Sequence, residues 1–158
     1  MFGLGKKKEN ILAVSDGILV PIEQVPDEVF SQKMMGDGYA IKPSGNEIYA
    51  PVGGIISTVF PTGHAIGITT ENGLELLIHM GLDTVDLKGK PFSNKVRQGQ
   101  HIHNGELVST MDLNAVEKSD RNPIIVVVYT NMGLFSEIPK IATKQIQHGD
   151  EIGFIKYK

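Results

Sequence analysis

A chain of 158 residues with net charge −3 and no cysteine has the length of one domain, and it excludes a disulfide framework, thiol catalysis and Cys-ligated zinc. Its charges are scattered, so the basic footprint of a nucleic-acid binder is missing. No apolar run approaches the roughly 20 residues of a membrane-spanning helix, and the lack of cysteine fits a reducing cytoplasm.

At the N-terminus, Phe2 and Leu4 precede Lys6, Lys7 and Lys8, and no apolar segment follows, so this is not a secretory signal. Residues 1–10 are expected to form a flexible, solvated tail, with Phe2, Leu4 and the lysines as the only means of touching a membrane surface. A single domain is expected over 11–158. Glycine and proline punctuate short β-branched segments at the spacing of an all-β sandwich or barrel. Strands are predicted near 11–14, 17–22, 39–42, 47–50, 54–60, 64–70, 74–80, 101–103, 106–110, 124–130 and 152–157. The continuous apolar run from Ile124 to Tyr129 reads as a central strand buried on both faces. Residues 26–30 read as a short helical turn, and 114–118 as a small helix.

The stretch 63–81 reads as one β-hairpin, because Asn72-Gly73 falls between two β-rich runs. A two-residue loop would put His64 and His79 on the same face, opposite or diagonal, together with Ile66, Ile68 and Leu77. Leu74, Leu76, Ile78 and Ala65 would then fill the other face. A three-residue loop would separate the two histidines, so the pairing depends on the turn. Three chemistries suit two neighbouring imidazoles. One ring can attack phosphorus while the other hydrogen-bonds the phosphoryl oxygens. Both can ligate zinc, or one can act in general acid–base catalysis. His101 and His103 alternate along a strand beside a turn, and His148 reads as a turn residue. No HExxH, Walker or dinucleotide glycine pattern is present.

Gly63-His64-Ala65-Ile66-Gly67, followed by Gly73-Leu74-Glu75-Leu76-Leu77-Ile78-His79-Met80-Gly81-Leu82-Asp83-Thr84-Val85-Asp86-Leu87-Lys88-Gly89, resembles the signature of the glucose-type enzyme IIA family of the bacterial phosphoenolpyruvate-dependent sugar phosphotransferase system. The resemblance extends from Gly17, through residues 26–30, 36–38 and 50–54, to residues 123–126. It implies a flattened antiparallel β-sandwich with a duplicated hybrid motif and short helical turns. It also implies that His79 accepts phosphate on Nε2 from the phosphocarrier HPr and passes it to a cysteine of a IIB domain. His64 would steady the phosphoryl group, with Thr62 as its hydroxyl partner. The family's apolar docking rim matches Val29, Phe30, Phe60 and Val85, and its acidic flank matches Asp27 and Asp83. Regulatory protein targets would use the same face.

No cofactor is required on this reading, although zinc could bridge His64 and His79 if a partner completed the site. Three positions depart from the family pattern: Gly63 replaces a larger polar residue, and Leu77 and Met80 stand where aromatics are common. The tail is short for a membrane-anchoring helix, and no IIB or IIC sequence is present, so phosphate is expected to pass in trans. The competing enzyme reading is a zinc hydrolase, since lysostaphin-type endopeptidases share a related β architecture. It lacks a convincing third ligand.

Overall fold

The computed structural model describes residues 7–158. In chain order the strands are β1 (Lys8–Leu12), β2 (Gly17–Pro21), β3 (Asp37–Pro43), β4 (Glu47–Tyr49), β5 (Gly54–Val59), β6 (Ala65–Thr69) and β7 (Glu75–Leu82). They continue with β8 (Phe92–Asn94), β9 (His101–Ile102), β10 (Leu107–Met111), β11 (Asn122–Tyr129), β12 (Phe135–Glu137), β13 (Lys144–Ile146) and β14 (Glu151–Tyr157). Two short helices, α1 (Glu28–Ser31) and α2 (Leu113–Lys118), fall where the sequence suggests helical turns. Asp27 and Asp112 cap them, each accepting a backbone N–H.

An eight-stranded antiparallel sheet runs in the order β13-β2-β3-β11-β7-β6-β5-β9. Two three-stranded sheets, β1-β14-β12 and β4-β10-β8, complete the all-β architecture. β11 pairs with β3 on one side and β7 on the other. Its alternate residues feed two cores, as the period of two requires. Ile125, Val127 and Tyr129 join the larger core with Ile48, Val108 and Ile155 from the smaller sheets. Ile124, Val126 and Val128 join a second core with Val20, Ala40 and Phe30, which lies under α1. The apolar run is therefore buried on both faces.

Residues 8–10, expected to belong to a flexible tail, form part of a strand instead. β1 begins at Lys8 and pairs with β14, Lys8 opposite Lys156 and Asn10 opposite Phe154. Glu9 accepts a hydrogen bond of 2.6 Å from the Tyr157 hydroxyl, and the Lys8 ammonium lies 4.6 Å from the centre of the Phe154 ring. Tyr157 N–H donates to the Lys7 carbonyl at 3.0 Å. Residues 1–6, with the suggested surface contact of Phe2 and Leu4, lie outside the described residues.

The hairpin also differs from its expected register. Ala65, not His64, stands opposite His79, and Thr69 stands opposite Glu75. Glu71, Asn72 and Gly73 form a three-residue loop, closed by Thr70 N–H to the Leu74 carbonyl at 2.9 Å and Gly73 N–H to the Thr70 carbonyl at 3.0 Å. Gly73 takes φ +98°, the glycine role in this loop type. Ile66 and Ile68 consequently turn into the larger core with Leu76 and Ile78, while Ala65 shares the face of His79.

Candidate phosphoryl-transfer site

Strict alternation in that register would send the His64 side chain into the core. It does not, because His64 precedes β6 and is not held by its pleat. Gly63, at φ +74°, closes a turn in which its N–H donates to the Phe60 carbonyl at 2.7 Å. This bend delivers the His64 ring to the His79 side. The ring centroids are 5.1 Å apart and the planes meet at 77°. The two histidines therefore meet through a bend, not through cross-strand pairing.

Around them stand the rings of Phe30, 5.0 Å from His79, and Phe60, 5.3 Å from His64. His79 Nδ1 lies 2.8 Å from the Gly81 carbonyl oxygen. A carbonyl can only accept, so Nδ1 carries the proton and the lone pair of the neutral ring sits on Nε2. Gly81 is required here: φ is +81°, and a Cβ would lie 2.4 Å from Thr84 Cγ2. The Thr84 hydroxyl in turn donates to the Met80 carbonyl at 2.6 Å, fixing this end of β7. On the other ring, His64 Nδ1 is 2.5 Å from the Thr62 hydroxyl.

Burial pushes the His79 imidazole below its ordinary value near 6.5, and the His64 ring adds to the shift. The Gly81 carbonyl and the carboxylates of Asp27 and Asp83 oppose it. His64 is lowered by burial. Both rings therefore favour the neutral, nucleophilic form at neutral pH.

Val29, Phe60 and Val85 are exposed apolar residues on the segments flanking this pair. Phe30 is not: it is 4 % exposed and belongs to the second core, so it forms a wall of the site and not an open rim. Asp27 is tied to Val29 N–H at 2.9 Å, and Asp83 opens a 3-10 turn with φ +58°. Sequence reasoning singled out neither of two exposed methionines. Met34 and Met35, immediately beyond α1, are 69 % and 38 % exposed. The turn that presents them uses Lys33 in the left-handed conformation, so no glycine announced it.

The remaining histidines lie elsewhere. His101 and His103 are exposed, and the His148 ring stacks on Tyr49 at 3.9 Å in the β13–β14 turn. Among the described residues no group of three or more His, Asp or Glu gathers to hold a metal ion. Nor, among them, is any helix long and apolar enough to cross a membrane.

Residues 9–135 match the family model described as phosphoenolpyruvate-dependent sugar phosphotransferase system, EIIA 1, and the chain belongs to that family. Its general role is thus that of a transferase component in the phosphotransfer cascade of sugar uptake. The chain is 52 % identical over 123 residues to the glucose-specific EIICBA component of Streptococcus pneumoniae serotype 4, covering 78 % of this chain and 17 % of that protein. It spans about a sixth of that relative. The glucose-specific EIIA component of Halalkalibacterium halodurans is 42 % identical over 159 residues, covering 95 % of this chain and 92 % of its own. The structure of glucose permease IIA from Mycoplasma capricolum superposes with a TM-score of 0.86 at 39 % identity, covering 98 % of this chain and 99 % of that one.

Proposed function

We propose that His79 is the phosphoryl acceptor of a cytoplasmic phosphocarrier, charged by phospho-HPr and discharged onto a cysteine of a IIB domain. The hydrogen bond from His79 Nδ1 to the Gly81 carbonyl carries this reading. It presents the Nε2 lone pair to the apolar opening. Attack forms an Nε2–P bond as the bond between phosphorus and the donor breaks. Because Nδ1 keeps its proton, the product ring is a phosphoimidazolium. Its positive charge is favoured by the Gly81 carbonyl and by Asp27 and Asp83, the same groups that hold the His79 pKa up. A cationic ring is also a good leaving group, which suits onward transfer to a thiolate.

His64 completes the site. With the Thr62 hydroxyl donating into Nδ1, the neutral His64 ring carries its proton on Nε2 and can donate it to a phosphoryl oxygen. Val29, Phe60 and Val85 offer docking partners an apolar face that excludes water during transfer, and Asp27 and Asp83 favour a basic partner surface. Phosphorylation adds roughly −1.5 to −2 charge to that face, which would release regulatory partners fitted to the uncharged form. The two Nε2 atoms could hold zinc only weakly until a partner supplied a carboxylate; calorimetric titration of zinc with and without partner tests this. The deciding experiment incubates the chain with phosphoenolpyruvate, enzyme I and HPr. One acid-labile phosphate should appear on the chain and none on His79→Ala; labelling of the variant would refute the assignment.

A further inference from the structure

Sulfur chemistry in this chain belongs to methionine alone, since six methionines and no cysteine are present. Among the described residues their environments divide sharply. Met80 and Met111 are fully buried and Met132 partly so, whereas Met34 is 69 % and Met35 38 % exposed.

The exposed pair occupies a defined place. α1 ends in a two-bond cap in which Lys33 N–H donates to the Phe30 carbonyl at 2.9 Å and Met34 N–H to the Val29 carbonyl at 3.1 Å. Lys33 holds the left-handed conformation, φ +60°, and its ammonium is tied to Glu23 at 3.1 Å and Asp37 at 3.2 Å. In caps of this kind an apolar residue at the Met34 position frequently packs on one at the Val29 position. Met34 is thus exposed and joined through its N–H to Val29, which is itself exposed and adjacent to Phe30, whose ring packs on His79.

We propose that Met34, with Met35 as a slower second target, is a reversible oxidation site through which hydroperoxides weaken partner docking at the His79 face. The inference rests on the docking role given above. In the reaction the thioether sulfur attacks the terminal oxygen of a hydroperoxide. An S–O bond forms and the O–O bond breaks; the side chain is left as sulfoxide, and the departing oxygen takes the proton and leaves as alcohol or water, so the sulfur loses two electrons and the peroxide gains them. The product places a strong dipole in a surface that must be desolvated on docking. Reversal consumes two thiols, giving thioether, disulfide and water. The buried methionines are shielded, and His79 is untouched.

The test treats the whole chain with limiting hydrogen peroxide, maps oxidised methionines by peptide mass spectrometry, and measures phosphoryl transfer from phospho-HPr in treated and untreated samples. Among the described methionines Met34 should oxidise first, and KM for phospho-HPr should rise about three- to tenfold with little change in kcat. A methionine sulfoxide reductase should restore it. In Met34→Leu/Met35→Leu the ratio of treated to untreated KM should stay near one, whatever its basal value. Met34→Gln, which carries a permanent dipole, should raise KM without peroxide. Oxidation of Met34 with unchanged KM, or equal sensitivity in the double variant, overturns the proposal. If the untreated chain accepts no phosphate from phospho-HPr, the docking reading itself fails and the proposal falls with it.

Discussion

His79 Nδ1 and the carbonyl oxygen of Gly81 are 2.8 Å apart, two residues along one strand, so the tautomer of the ring is set by the backbone that carries it. Gly81→Ala should therefore damage both stability and transfer. The left-handed φ costs a side chain about 1–2 kcal/mol, and the new Cβ would press on Thr84. Thermal unfolding should show the loss, and phosphorylation at saturating HPr should slow. Unchanged stability and rate would show that this carbonyl does not orient the ring.

His64→Gln keeps a donor but not its geometry. The variant should still take phosphate on His79 yet pass it to a IIB domain slowly, by on the order of a hundredfold if one aligned donor is lost. Rapid-quench transfer onto a IIB domain measures this, and a normal rate would remove His64 from the mechanism.

Burial lowers the proton affinity of both rings, with a definite sign for pH dependence. Acceptance of phosphate should hold through pH 6.5 and decline only at lower pH, once His79 itself takes a proton. For stability, the unfolded chain binds protons first, near its ordinary histidine value. The unfolding free energy should thus fall as pH drops below about 6.5 and level off beneath the folded pKa values. Ring titration by NMR gives the midpoints; a His79 midpoint above 6.5 would contradict the structure.

Phe30 and Val85 should separate wall from rim. Val85 is 46 % exposed, so Val85→Asp should change stability by no more than about 0.5 kcal/mol while raising KM for phospho-HPr. Phe30→Ala opens a cavity beside His79 and should cost about 3–5 kcal/mol. Denaturant unfolding and transfer kinetics on both variants check the contrast; equal stability losses would erase it.

Much of this arrangement was legible in residue patterns. The apolar run 124–129 announced a strand buried on both sides, and Asn72-Gly73 announced the hairpin. The loop length was not legible, because glycine at positive φ serves two-residue and three-residue loops alike. A one-residue difference reverses every face assignment, which is how Ile66 and Ile68 were misplaced. The histidines still meet because Gly63 bends the chain ahead of β6, and alternation does not govern a bend. The three-residue strands β8, β12 and β13 escaped notice, although β4 and β9, as short or shorter, were predicted. The resemblance placed Phe30 on the docking rim beside Val29, but its ring turns inward and joins the second core.

The pairing of β1 with β14 brings Lys7 and Tyr157 into backbone contact at 3.0 Å, so both ends of the described residues lie at one spot. Segments leading away from Lys7 and from Tyr157 therefore start from the same point. A short peptide could also join the ends, with the chain reopened at the Gly105 turn, where a Cβ on the glycine would meet no neighbouring atom within 4 Å.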